Sequence, residues 1–145
     1  MEISFGQYTI NDSTEKVDLD FVHHELSNSY WAKNIPRSLL EKAIRHCINF
    51  NVFHNETQVA FARVITDQAT YAYLCDVIVN EDHGGKGIGK AMMKFIMDHP
   101  ELQGLRRFTL ATRDAHTLYT QFGFEVTKNP ENMMEIVRRD IYLGK

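Results

Sequence analysis

EDHGGKGIGKAM, residues 81–92, holds glycine at 84, 85, 87 and 89. Its glycine spacing separates several folds, because unrelated folds use differently spaced glycines to lay backbone against phosphate. From Gly84 to Lys90 it runs G-x-x-x-x-G-K, the loop that holds nucleoside triphosphates, but the next residue is Ala91, where that loop needs a Ser or Thr hydroxyl for Mg²⁺. The dinucleotide pattern G-x-G-x-x-G fails as well, since Gly87-Ile88-Gly89 leads to Met92 in place of a third glycine. What survives is a run of backbone N–H groups at a helix N-terminus, free of Cβ obstruction and suited to an anion.

Working outward, 145 residues with 43% hydrophobic and 11% aromatic composition suit one α/β or α+β core rather than two. Sixteen Lys plus Arg against nineteen Asp plus Glu leave a formal charge of -3, which gives no field for a polyanion and argues against nucleic acid. MEISFGQYTIND has no basic segment followed by an apolar core, and no apolar run nears the ~20 residues of a membrane helix. A soluble, cytoplasmic protein without membrane partners is expected. Cys47 and Cys75 are the only cysteines and lie in apolar-patterned stretches, where a cysteine acts as a small hydrophobe rather than a redox or metal ligand. No metal site is expected.

Residues 3–10 (ISFGQYTI) read as a strand, and 18–29 as a helix capped by Asp18 with Phe21, Val22 and Leu26 inward. Pro36 opens a second helix with Leu39, Leu40, Ala43, Ile44, Cys47 and Ile48 as its buried stripe. NFNVFH and QVAFARVIT form a hairpin through Asn55-Glu56-Thr57, and TYAYLCDVIVN follows the Asp67-Gln68 turn, giving a three-strand meander. The helix after the glycines repeats Ile88, Met92, Phe95 and Ile96 until His99-Pro100 ends it. RRFTLAT reads as a strand, AHTLYTQF as a helix and FEVTK as a last strand. The step across residues 74–112 should be a right-handed parallel crossover.

VIVNEDHGGKGIGKAM followed at a strand's distance by DAHTLYTQFGFE resembles the GNAT superfamily of acyl-CoA N-acyltransferases, most specifically over residues 74–126. The resemblance implies one domain over residues 1–145, with a mixed, mostly antiparallel sheet, a splayed parallel pair and helices on both faces. It implies acetyl-CoA as co-substrate, its pyrophosphate on Gly84, Gly85, Lys86, Gly87, Ile88, Gly89 and Lys90. Its pantetheine arm would lie along Val77, Ile78 and Val79, with Thr112 and Ala115 completing the site. Two positions depart from the family pattern. Gly84 stands where Gln or Arg is usual and Thr112 where Asn is frequent, so His83, Lys86 and Lys90 are candidates to reinforce the grip. Lys94 continues their spacing and equally suits a solvated face.

Thioester aminolysis needs a neutral amine, a stabilised oxyanion and a protonated leaving thiolate. The resemblance places Tyr119 as the thiolate's acid; packing beside Phe122 and Phe124 is the alternative. A backbone N–H near Val77 or Ile78 would face the oxyanion. Asp76 is a candidate base, and its alternation in YLCDVIV equally suits a structural hydrogen bond. Asp114 reads as a cap for the last helix and His116 as a surface residue. Tyr30 and Trp31 are candidates for an acceptor wall or for filling the space between helices and sheet. Arg63, inside apolar VAFARVI, either meets a substrate carboxylate or pairs internally, Asp76 being the available partner. The reading is an acetyl-CoA:amine N-acetyltransferase acting on a small molecule or peptide as monomer or homodimer. The rival, motivated by Gly84, is a non-catalytic acyl-CoA sensor.

Overall fold

A turn at Gly6 and Gln7 corrects the first expectation: residues 3–10 are two strands and not one. The computed structural model describes residues 1–143, and in it Gly6 takes φ +55°, a conformation glycine adopts freely. The turn separates β1 (Glu2–Phe5) from β2 (Tyr8–Asn11), paired antiparallel with Ile3 opposite Ile10.

Two helices follow. Asp18 caps α1 (Leu19–Ser27) by accepting from the Phe21 N–H at 3.2 Å. Pro36 stands just before α2 (Arg37–Arg45), where its missing N–H costs nothing, and Leu40 and Ile44 are buried. Leu39, expected in the buried stripe, is 42% exposed. The meander is as expected: β3 (Ile48–His54), β4 (Thr57–Thr66) and β5 (Tyr71–Val79) pair antiparallel in turn. After the glycine loop, α3 (Ile88–Met97) leads to β6 (Arg107–Leu110), which lies parallel to β5, and α4 (His116–Thr120) comes last. The six strands form one sheet in chain order.

The sheet carries a core on each face. One joins Ile10, Phe50, Val64 and Leu74 to Met92, Phe95, Ile96 and Tyr119 of α3 and α4. The other joins Phe61 and Ile78 to Val22, Leu26, Leu40 and Ile44 of α1 and α2. The strand expected at 124–128 is absent. Phe124 tucks against Phe108 and Tyr119, with ring centroids 5.4 and 6.1 Å away, but from Glu125 nearly every residue is exposed and none pairs with β6. Among the described residues no helix is long and apolar enough to cross a membrane, and no cluster of His, Cys, Asp or Glu is arranged for a metal.

Candidate active site

The site begins as an irregularity in the β4–β5 ladder. Phe61 faces Ile78 and Arg63 faces Cys75, so Asp76 and Val77 together oppose Ala62. Asp76 accommodates the bulge at φ +53°, in the left-handed region that Asp tolerates better than bulkier residues do. The extra residue reverses the faces of β5. Leu74 packs in the α3 core, yet Ile78, four residues on, packs in the α1–α2 core, and Val77 and Val79 turn toward α3.

Just before the bulge, β5 and β6 part. Their pairing runs from Tyr71 opposite Arg107 to Leu74 opposite Leu110, while β5 continues to Val79 with no partner on that side. The opening is a cleft of about 560 Å³. Tyr73, Asp76 and Val77 form one wall, Leu110 to Ala115 the other, Tyr119 belongs to α4, and Tyr30 and Trp31 stand at the α1–α2 connection. Of the expected site residues, the fold therefore brings Tyr30, Trp31, Asp76, Val77, Thr112, Ala115 and Tyr119 to one cavity. Ile78 and Val79 lie farther along the same open edge.

Tyr119 is 8% exposed. Burial, with a smaller push from the Asp114 carboxylate, raises its phenol above the usual value of 10.0, so the proton is held across the neutral range. Arg63 and Asp76 pair with each other: Arg63 Nε donates to Asp76 Oδ2 at 2.5 Å. The second carboxylate oxygen, Oδ1, accepts from the Trp31 indole N–H at 2.9 Å. Burial alone would lower the Arg63 pKa, but Asp76 outweighs it and the net shift is upward, keeping the guanidinium charged. Cys75 beside them is pushed up to about 12, by burial first and Asp76 in support, against the pull of Arg63. It is therefore a poor nucleophile. Thr112 Oγ1 accepts from the Ala115 N–H at 3.0 Å and fixes the turn into α4. That capping role was expected of Asp114, which makes no cap bond.

The glycine loop forms a second station. Gly85 and Gly87 take φ +74° and +79°, and a Cβ on Gly87 would meet Phe5 Cζ at 3.4 Å. No side chain caps α3, and its first backbone bond runs from the Ala91 N–H to the Gly87 carbonyl. The N–H groups of Ile88, Gly89 and Lys90 precede that first bond and have no intrahelical partner. Lys86 and Lys90 are exposed nearby, whereas Lys94 pairs with Asp98 at 2.8 Å. Gly84 has a steric reason: a Cβ there would lie 3.2 Å from the Glu81 carbonyl oxygen. His83 is held at Nδ1 by the Tyr8 hydroxyl, 2.8 Å away. A separate apolar groove of about 630 Å³, lined by Ile3, Phe5, Ala91, Phe95 and Phe122 among others, follows the outer side of α3. Its exposed floor is mostly apolar, with Lys90, Lys94 and Asp98 at its edge.

The sequence reading missed Arg113, Tyr73 and the connection Leu110–Ala111, all of which line the cleft. Arg113 carried a faint signal as a cation beside the motif position Thr112; the others carried none.

The arrangement has known counterparts. A model of the acetyltransferase (GNAT) family matches residues 14–124. "Putative acetyltransferase FG08082" of Gibberella zeae is 28% identical over 137 residues, covering 79% of this chain and 76% of that protein. The [ribosomal protein bS18]-alanine N-acetyltransferase of Escherichia coli K12 is 25% identical over 118 residues, covering 77% and 78%. A crystal structure of "a putative acetyltransferase belonging to the gnat family" from Xanthomonas campestris pv. campestris is 44% identical. It aligns with 97% of this chain and 100% of its own at a TM-score of 0.93. With the splayed strand pair, the uncapped glycine-led helix and a family match across most of its length, this chain belongs to the GNAT family of acetyltransferases, whose members transfer acyl groups from acetyl-CoA.

Proposed function

We propose that the protein transfers the acetyl group of acetyl-CoA to a primary amine by direct attack on the thioester, with Tyr119 protonating the leaving thiolate. The observation that carries this reading is the opening of β5 from β6 beyond Leu74, with Tyr119 in the cleft that results.

Three groups of this chain divide the work. The uncapped N-terminus of α3, with Gly87 at its mouth and Lys86 and Lys90 beside it, suits the pyrophosphate: donors and helix dipole point at the anion and no Cβ intervenes. The unpaired edge from Val77 to Val79 offers backbone groups to the pantetheine amides and an N–H to the oxygen that gains charge during attack. Tyr119 completes the reaction. As the amine nitrogen bonds to the carbonyl carbon and the C–S bond breaks, the phenol gives its proton to the sulfur. The nitrogen loses its extra proton to water, and the tyrosinate is reprotonated in turn.

Asp76 is the weaker candidate for a base, because both its oxygens are engaged by Arg63 and Trp31. In this reading it positions the aromatic wall, and the amine arrives neutral through solvent. Arg63, so paired, shapes the wall rather than meeting a substrate carboxylate.

Thermal unfolding with acetyl-CoA, CoA and Mg-ATP in parallel tests the cofactor. A ligand at 100 times its Kd adds ~2.7 kcal/mol to the folded state, so the two CoA species should raise Tm and Mg-ATP should not. Tyr119→Phe tests the chemistry. The enzyme reading expects thiol release to fall roughly 10²- to 10⁴-fold with acetyl-CoA binding retained. The sensor reading motivated by Gly84 expects no thiol release from either protein.

A further inference from the structure

The two walls of the cleft are joined at the mouth by a single stacking contact. Arg113, in the β6–α4 connection, lays its guanidinium over the Tyr30 ring of the α1–α2 connection, 3.8 Å from the ring centre. Tyr30 stands edge-on to Trp31, with centroids 5.0 Å apart and planes at 79°. Trp31 is tied through its indole N–H to Asp76, and Asp76 to Arg63. A chain of contacts thus runs from solvent to the bulge and fixes the orientation of both aromatic rings.

The charges along this chain are not equivalent. Asp76 and Arg63 satisfy each other. Arg113 is exposed and makes no ion pair among the described residues, although Asp114 is its neighbour in sequence. A guanidinium that stacks by its face keeps its N–H donors at the edge, in the fork that takes a carboxylate or phosphate through two parallel bonds. The cofactor's pyrophosphate has its own station at the start of α3, whose Gly87 and Lys90 do not line this cleft.

We infer that Arg113 recognises the acceptor, and that the acceptor is a small amine carrying an anionic group, carboxylate or phosphate, on the same molecule. This rests on the acetyl-transfer reading above. Tyr30 and Trp31 flank the acceptor's organic part, and Arg113 holds its charged end at the rim, with the amine directed toward Tyr119.

Trp31 is the only tryptophan of the chain, so its emission reports occupancy of the mouth without turnover. The test titrates matched pairs, 4-aminobutyrate against n-butylamine and O-phosphoethanolamine against ethanolamine, in the presence of CoA. The same pairs are then assayed by thiol release from acetyl-CoA. The anionic member of at least one pair should bind and react about tenfold to a hundredfold better than its neutral partner. Which pair responds separates carboxylate from phosphate. Arg113→Ala should abolish the preference and Arg113→Lys keep only part of it, with the half-saturating acetyl-CoA concentration unchanged in both. Equal use of neutral amines, a preference that survives Arg113→Ala, or a loss of acetyl-CoA affinity in its place would overturn the assignment. If acetyl-CoA stabilises the protein but no amine releases thiol, the transfer reading fails by itself. Trp31 emission then decides the anion site: an Arg113-dependent preference for the anionic probes sustains it, and no preference removes it.

Discussion

The two halves of β5 make different use of one strand. From Ala72 to Leu74 it is paired on both sides, to β4 and to β6. From Cys75 to Val79 it is paired to β4 alone. The first half is scaffold and the second a half-open edge, and the bulge at Asp76 lies at the boundary. A sheet interior cannot offer backbone donors to a ligand because its ladder consumes them. This fold exposes such donors by letting the parallel neighbour leave early, while the antiparallel neighbour keeps the open half rigid.

The contrast can be broken outright by deleting Asp76. With one residue fewer the ladder becomes regular while Val77, Ile78 and Val79 keep their places opposite Ala62, Phe61 and Ala60, and the Arg63 guanidinium loses its carboxylate and the Trp31 indole its acceptor. The deletion variant is expected to lose at least about 3–5 kcal/mol in a urea titration, the cost of an orphaned buried charge, and to bind acetyl-CoA more weakly because the strand edge is re-aimed. Asp76→Asn removes the charge alone, because it keeps the chain length and a residue tolerant of positive φ. It leaves the Arg63 charge largely buried without a counter-charge, an expected loss of about 3–5 kcal/mol in a urea titration. On the closed half, Leu74→Ala should cost about 2–5 kcal/mol of stability, with the half-saturating acetyl-CoA concentration preserved. Beyond the open half, the mouth of α3 is probed by Gly87→Ala. A residue with a Cβ at φ +79°, pressed toward Phe5, should cost about 1–3 kcal/mol and weaken acetyl-CoA binding measured by calorimetry. The smallest effect belongs to Lys94→Ala, outside both halves, where losing the exposed pair with Asp98 should change stability by less than ~0.5 kcal/mol.

The rate's dependence on pH probes the open half without altering its backbone. Thiol release should rise with pH as the acceptor amine loses its proton. The raised Tyr119 pKa keeps the phenol protonated past its usual value of 10.0, so the falling limb should begin only above that point. The sign for stability is the same: the contribution of a raised tyrosine is complete below the unfolded-state value and lost as pH climbs through the folded one. Tyr119→Phe should lose the falling limb.

Much of the frame was legible because local rules and tertiary packing agree there. Asp18 caps where an N-cap belongs, the meander follows its turn residues, and α3 buries its periodic face. The bulge was not legible. Ala72, Leu74, Asp76 and Ile78 alternate in sequence as if on one side, and all four are buried, yet they serve two cores. Nothing in a period-two pattern distinguishes a continuous strand from one that reverses its faces. Residues 3–10 read as one strand, whereas Gly6 turns the chain between two. At the site, the glycines and Tyr119 follow a motif that a single sequence can display. The partnership of Arg63 with Asp76 was one of two readings that residue type alone left open. Trp31 on Asp76 and Arg113 on Tyr30 depend on segments separated by 45 and 83 positions, which no local pattern connects.

The segment after Phe124 has a consequence of another kind. Val126 is 75% exposed, Met134 95% and Ile136 85%, with Met133, Val137 and Ile141 also above half. A protein that presents this many large apolar side chains to water gains free energy whenever another surface covers them. Its hydrodynamic size is therefore expected to grow with protein concentration in sedimentation experiments and to stop doing so when residues 125–145 are removed. Dilution becomes a variable of the molecule's state, alongside temperature and pH.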